Sequence, residues 1–301
     1  MSATTGHLDT PAGSRRRAGG FVRAWRSLVR SKLALVSVIV IFLLVVVALF
    51  GDALTLHDPH QQHLRSRFLP PAFAGGEVAF PFGTDGLGRD ILSRIIVGAR
   101  ISLFVGLSSV VLGGLLGVTL GIAAGYFGGW VDLVIMRLVD LQMAFPTMFI
   151  GLFAMALLGT GLVELIIVIA IVQWAYYARV ARAEALRIKE MEYFHAAKAL
   201  GVRTGRIMLR HVLPNAIGPV LVVASFSLST AIFYESALSF FGVGVPPNIP
   251  TWGNMLADAR NVLLLTMWYP VFPGLAITIT VLAFNLLGDW LRDFLDVTLD
   301  D

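Results

Sequence analysis

Three histidines in the stretch HDPHQQH are the first candidates for chemistry. His57, His60 and His63 are spaced three residues apart, and metal sites use such groupings. However, the Asp58–Pro59 step between the first two favours a turn, and no cysteine or further carboxylate lies close by. We therefore predict that this stretch binds no metal.

No catalytic motif occurs elsewhere. The glycine-rich stretch GTDGLGRD, Gly83 to Asp90, lacks the Lys-Ser or Lys-Thr pair that closes a phosphate-binding loop. The chain has no cysteine, which excludes disulfides and cysteine nucleophiles, and it has no HExxH, GxSxG or paired-carboxylate motif. We predict a non-catalytic chain that binds no cofactor itself, in which Asp85 or Asp90 caps the next helix.

Polar residues inside apolar stretches are the remaining candidates. An ionisable group at mid-membrane costs a few kcal/mol, so it often marks a proton or cation site. We assign Glu235 and Asn285 to the substrate pathway; Asp289 lies near the end of the last apolar stretch. An ion-coupled secondary transporter is therefore the alternative function, although Glu235 also fits a packing role. A membrane enzyme would need a nucleophile and a base, which are missing.

The composition places these residues in a membrane protein. The 301-residue chain is 57% hydrophobic and 14% charged, whereas soluble domains are about 25% charged. Crossing a bilayer takes about 20 apolar residues in a helix. The chain has four uncharged stretches and one longer stretch that turns at Gly159–Gly161, which together predict six spans. The stretches are Leu33–Phe50, Ile101–Tyr126, Leu141–Ala178, Ala216–Tyr234 and Val262–Gly288.

Two features of these stretches bear on packing and direction. The second stretch carries a stripe of glycines, which predicts close helix–helix contact, and Pro146 predicts a break in the third span. If the N-terminus is cytoplasmic, 17 Lys and Arg residues lie on the cytoplasmic side and 6 outside. The positive-inside rule then places both termini in the cytoplasm, and the net charge of +4 reflects topology rather than nucleic-acid binding.

A charged segment between the last two long stretches predicts two short helices. Glu192 to Leu200 contains good helix formers, and Gly201 has the position of a helix-ending residue with positive φ. Thr204 is predicted to cap a second helix, Gly205 to Val212, which must end before Pro214.

Small residues lie at the bend between these helices. Ala196, Ala197 and Leu200 form a smooth face, and Arg203 and Arg206 flank it. A solvated loop and a headgroup-bound helix pair are the alternatives. A docking element for a cytoplasmic partner fits better, because small residues permit the close approach of a helix to a groove.

The same segment carries a family resemblance. HAAKALGVRTGRIMLRHVLPN resembles the cytoplasmic signature of binding-protein-dependent ABC importer permeases: Glu-Ala-Ala, three residues, Gly, nine residues, a hydrophobic residue, any residue and Leu-Pro. His195 and His211 stand where the family usually has Glu and Ile. The matching residues are Ala196, Ala197, Gly201, Leu213 and Pro214.

The resemblance extends over most of the chain after residue 20. FGTDGLGRDILSRIIVGARISL, GYFGGWVDLVIMRLVDLQMAFP, ESALSFFGVGVPP, TWGNML and FPGLAITITVLAFNLLGDWLRDFLD are similar to the dipeptide/oligopeptide permease subunit that carries an extra N-terminal span. Trp290 and Val297 replace residues that are more often Gly and Pro in the closing motif.

The resemblance implies the fold, the partners and the coupling residues. It implies a six-helix type I ABC importer permease in the bacterial inner membrane, paired with a second, related permease. Two cytoplasmic ATPases, which hold ATP and Mg²⁺, would drive the pair, and an extracytoplasmic binding protein would supply peptides; close relatives carry nickel chelates, glutathione or opines. The implied ATPase-coupling residues are His195, Ala196, Ala197, Leu200, Gly201, Arg203, Arg206, Leu213 and Pro214.

These predictions divide the chain into five parts. They are a cytoplasmic tail with a basic amphipathic lead-in at residues 1–32, a first span at 33–50, an extracytoplasmic loop at 51–98, a five-helix core at 99–291 with a coupling segment at 179–215, and a cytoplasmic tail at 292–301.

Overall fold

The computed structural model describes residue 25, residues 27–263 and residues 266–299. Most of the predicted N-terminal tail therefore lies outside the described residues. Within the described part, helices dominate and one bridge, Thr84 to Asp90, is the only β pairing. The helices are α1 (Lys32–Leu54), α2 (Ile91–Phe127), α3 (Gly129–Ala144), α4 (Thr147–Leu158), α5 (Leu162–Lys189), α6 (Glu192–Ala199), α7 (Thr204–Ile207), α8 (Leu213–Phe240), α9 (Trp252–Arg260) and α10 (Trp268–Leu299).

The described helices supply five or six membrane crossings. α1, α2, α5, α10 and the continuous helix Thr204–Phe240 are each long and apolar enough to cross. α3 and α4 pass only as a pair, bent by 96°. The predicted break at Pro146 and turn at Gly159–Gly161 are confirmed, and Gly159 has a φ of 89°. The chain is an all-α multi-pass membrane protein whose third span is not one straight helix.

The core is the contact between α2 and α5. A Cβ at Gly117 would lie 2.3 Å from the Trp174 carbonyl oxygen, and one at Gly121 would lie 2.3 Å from the Ala178 carbonyl oxygen. Only glycine permits such close backbones, which is how helices pack in lipid. The predicted role of the glycine stripe is confirmed. Residue numbers rise together along the contact, so α2 and α5 run in the same direction.

The second helix of the charged segment continues through Pro214. The prediction that it ends at Val212 is wrong, because a π-helical turn, Met208–Val212, joins α7 to α8. The Leu213 N–H donates to the carbonyl of Met208, five residues back. This wider turn places Pro214 in the first turn of α8, where its missing N–H and its ring do not interrupt the helix.

The predicted cap at Thr204 is also wrong. Arg203 occupies the N-cap position of α7 and makes no side-chain capping bond. The Thr204 hydroxyl instead accepts a hydrogen bond of 3.2 Å from the Tyr126 hydroxyl at the end of α2. The hydrogen bond with Tyr126, on a different helix, therefore replaces the predicted capping bond of Thr204.

The start of α2 is fixed by two aspartates with different roles. Asp90 caps the helix by accepting the Ser93 N–H at 3.0 Å, as predicted. Asp85 does not cap; its carboxylate pairs with Arg89 at 2.6 Å and with the buried Arg94. Buried charges persist when paired in this way. The ion pair between Asp85 and Arg94 therefore holds the loop before α2 against that helix.

Candidate functional site

The segment of residues 192–206, which we call the elbow, turns at a glycine. Gly201 has a φ of 73°, in the left-handed region. Its N–H donates to the Lys198 carbonyl at 3.0 Å, and the Val202 N–H donates to the Ala197 carbonyl at 3.2 Å. These two bonds form the Schellman motif that ends helices at glycine. The predicted helix end and the geometry of Gly201 are confirmed.

The inner side of the elbow is anchored to the ends of α2 and α5. Phe194 is buried and its ring lies 6.0 Å from the ring of Tyr126. Ile207, just after the elbow, is also buried. The Lys189 ammonium group donates to the carbonyls of Gly125 and Tyr126 at 3.2 and 3.1 Å, which satisfies the last carbonyls of α2. The elbow is thus fixed to the two central helices.

The outer side of the elbow is an exposed face. Leu200 is 84% exposed, an unusual position for a large apolar side chain. His195 and Ala196 are exposed beside it, and Ala197 is half-buried. The side chains of Arg203 and Arg206 are exposed on the following turn. Most of the predicted coupling residues therefore lie close together on the exposed surface of this short segment.

Leu213 and Pro214 lie apart from that surface. Leu213 is half-buried and packs against the main hydrophobic cluster. Pro214 is exposed at the start of α8 and lines a cavity beside the bundle. Both residues belong to the base of a membrane helix.

A groove runs along α8 between α5 and α10. It consists of two cavities of about 610 and 530 Å³ that share Val180, Val223 and Phe226. The first reaches Pro214 at the elbow end, and the second reaches Tyr234 toward the opposite end. The walls are mostly apolar, as in pockets for small organic ligands. The groove follows the length of α8.

The two polar residues assigned to the pathway make contacts between helices: Glu235 is buried and Asn285 is half-buried. Glu235 is fully buried, and its carboxylate accepts hydrogen bonds from Ser102 at 3.0 Å, Ser239 at 3.1 Å and Ser236 at 3.4 Å. This arrangement joins α8 to α2. Asn285 accepts a 2.6 Å hydrogen bond from the Ser229 hydroxyl and joins α10 to α8. Neither residue lines the groove.

The groove contains polar residues that the sequence interpretation missed. Gln173, Tyr176 and Arg179 of α5 line its second cavity together with Thr230 and Tyr234 of α8. The available signal was Gln173 inside an apolar stretch, near Arg179, which was assigned to the start of the coupling segment. That signal was overlooked because α5 was treated only as a span.

The three histidines lie in the loop at the other end of α2. The His57 ring stacks on Phe80 with centroids 4.8 Å apart, and the His63 ring lies 5.8 Å from the same phenylalanine. The His57 N–H donates to the Ser93 hydroxyl at 3.2 Å. In the described residues, no three His, Cys, Asp or Glu side chains are grouped as metal ligands.

Comparisons with known proteins agree with this architecture. Residues 117–300 match the family described as binding-protein-dependent transport system inner membrane component, and residues 21–71 match the N-terminal TM domain of oligopeptide transport permease C. The dipeptide transport system permease protein of Alkalihalophilus pseudofirmus is 39% identical over 91% of this chain and 88% of its own. The di/tripeptide transport system permease protein of Pseudomonas aeruginosa is 42% identical over 90% of each chain.

Two further matches extend the comparison. The glutathione transport system permease protein of Pectobacterium atrosepticum is 38% identical over 90% of this chain and 89% of its own. A solved structure of the MetNI methionine ABC transporter in inward-facing conformations covers 68% of this chain and 97% of its own, with a TM-score of 0.56 and 16% identity. It supports the fold alone. The chain therefore belongs to the binding-protein-dependent inner-membrane permeases and is a type I ABC transporter permease subunit of the dipeptide/oligopeptide C group.

Proposed function

We propose that this chain forms half of a peptide translocation pathway and couples it to a cytoplasmic ATPase through the elbow. The observation that carries the proposal is the position of the elbow. It joins the end of α5 to the start of the helix Thr204–Phe240, and these two helices form walls of the groove. A movement of the elbow would therefore move two helices that form the walls of the groove.

The elbow is suited to act as a lever. Its inner side packs through Phe194 against Tyr126 at the end of α2, so a movement of the elbow would be passed to α2. Its outer side offers Leu200 for burial in a partner. ATP binding would draw two ATPases together, and the docked elbows would carry the helices from an inward-open to an outward-open arrangement. This is rigid-body alternating access, with no covalent chemistry on this chain.

The substrate is proposed from the relatives and from the groove. The relatives described above are named for transport of dipeptides, di- and tripeptides, and glutathione. A second, related permease would close the open side of the groove, an extracytoplasmic binding protein would deliver the peptide, and the ATPases would hold ATP and Mg²⁺. A nickel chelate or another small solute is the alternative cargo.

The proposed orientation in the bacterial inner membrane places the elbow and both termini in the cytoplasm. A reporter fused at residue 75, in the loop before α2, should be active outside the cytoplasm, and one at residue 198 should be active inside. The expected result follows from the excess of Lys and Arg on the elbow side. Alkaline phosphatase and green fluorescent protein fusions measure the two locations, and the opposite pattern would overturn the orientation.

The proposed function predicts a specific uptake defect. A strain lacking this chain should lose uptake of labelled di- and tripeptides and keep uptake of nickel. The tagged chain should copurify with ATPase subunits from detergent-solubilised membranes. Loss of nickel uptake with normal peptide uptake would refute the peptide cargo. Peptide transport by the purified chain without any ATPase would refute the coupled mechanism in favour of an ion-coupled transporter.

A further inference from the structure

An ion pair lies beside the groove, at the elbow-side end of the apolar part of α5. Arg179 of α5 donates to Asp140 of α3 at 2.8 Å, and the two side chains are 48% and 52% exposed. Arg179 lines the second cavity of the groove. Within the described residues, Asp140 accepts a hydrogen bond from only one nitrogen of Arg179, Nη2. The remaining donors of the guanidinium group are available to a ligand.

The depth of this pair indicates what it faces. α5 has 28 residues and is about 42 Å long, so it exceeds a hydrocarbon core of roughly 30 Å. The apolar part of α5 ends at Ala178 and charged residues follow it, so Arg179 lies at the elbow-side edge of the core, about 15 Å from the end of the helix. A charged side chain at this edge can reach interfacial water, and Arg179 also lines the second cavity of the groove. The pair therefore faces the pathway.

A second polar side chain of the same cavity, Gln173, has one atom without a hydrogen-bond partner among the described residues. Gln173 is only 2% exposed, and its Nε2 donates to the Ser227 carbonyl at 3.0 Å. Its Oε1 is buried and accepts no hydrogen bond from the described residues. A buried acceptor without a donor costs about 1–3 kcal/mol, so rotation of the Gln173 side chain toward the cavity, where a ligand N–H could reach Oε1, would be favoured. Gln173 thus supplies an acceptor where Arg179 supplies donors.

We propose that Arg179 and Gln173 form a contact site for a peptide with a free C-terminal carboxylate. Arg179 binds the carboxylate, and Gln173 accepts an N–H from the peptide backbone or its amino end. The rise from one residue to the other along α5 is about 9 Å, and an extended peptide of two or three residues spans about 7–11 Å. The charges and the spacing fit a short peptide.

Asp140 sets the strength of this contact. By pairing with Nη2, it neutralises part of the guanidinium charge and competes with the incoming carboxylate. A transport site must bind well enough to admit its substrate and weakly enough to release it. Arg179 without Asp140 would hold a peptide more tightly.

The inference rests on the proposed peptide function and is tested in the complete transporter, reconstituted with its ATPases and binding protein. The measurement is the ratio of transport rates for a free-acid tripeptide and its C-terminal amide. The binding protein is the same for every variant, so a change in this ratio reports the permease. Arg179→Gln should lower the preference for the free acid about tenfold, because a hydrogen bond to a charged group is lost. Asp140→Asn should raise it.

Arg182→Gln is the matched control on the same helix. Arg182 pairs with Asp132 at 2.5 and 2.6 Å and does not line the groove, so its loss should affect the two peptides equally. A purely structural ion pair predicts that Arg179→Gln and Asp140→Asn change the ratio in the same way or not at all, and either result overturns the inference alone. Absence of any peptide transport in the wild type overturns the inference and the proposed function together.

Discussion

Leu200→Asp is expected to detach the ATPase from this chain while leaving the chain folded in the membrane. Leu200 is 84% exposed in the isolated subunit, so little of the subunit's own packing depends on it. In a docked elbow, the change loses about 2 kcal/mol of apolar burial and places an unpaired carboxylate in the interface. A total of about 3 kcal/mol corresponds to roughly 100-fold weaker association.

The chain offers a clean measurement of this effect. It contains no cysteine, so a cysteine placed at Ala196 is the only thiol available for crosslinking to the ATPase. We expect Leu200→Asp to reduce the crosslinking yield to background and to abolish peptide transport. Val78→Asp is the matched control, because Val78 is 87% exposed in the loop before α2. Full crosslinking in the Leu200 variant would show that the elbow docks through another face.

Gly117→Ala is expected to destabilise the subunit strongly. The added methyl group would meet the Trp174 carbonyl oxygen at 2.3 Å and the Tyr177 Cβ at 2.6 Å. These atoms belong to the backbone or are attached to it, so α2 and α5 must separate. Overpacking of this kind costs about 3 kcal/mol, which lowers the melting temperature by about 5 °C in a chain of this size. Heating followed by size-exclusion chromatography in detergent measures the shift.

A neighbouring glycine provides the control for this prediction. A Cβ at Gly114 would lie 3.6 Å from the Tyr177 ring, which is an ordinary contact. Gly114→Ala is therefore expected to change the melting temperature by less than about 2 °C. Equal shifts for the two variants would mean that the effect comes from helix propensity or lipid contact and not from the close approach of α2 to α5.

Features that depend on neighbouring residues were predictable from the sequence. Gly201 ends its helix because only the local backbone has to reach positive φ, and Asp90 caps α2 because the Ser93 N–H is three residues away. The break at Pro146 has an equally local cause. In each case the sequence contains both partners of the interaction within a few positions.

Features that depend on distant contacts were not predictable. Thr204 is drawn to Tyr126, and Pro214 is accommodated by a π-helical turn that no sequence pattern announces. The groove likewise requires α5, α8 and α10 to be placed beside each other before Gln173 and Arg179 share a cavity. Tertiary packing determines these features, and a hydropathy pattern does not contain it.

The half-open groove also affects the stability of a newly made subunit before it assembles. If a second permease covers the groove as proposed, its absence would leave the apolar groove and the half-exposed Arg179–Asp140 pair open to lipid. An orphan subunit is then poorly solvated by the membrane and vulnerable to membrane proteases. If the groove is shared with a second permease as proposed, balanced synthesis of the two chains, as from one shared transcript, would limit the number of orphan subunits.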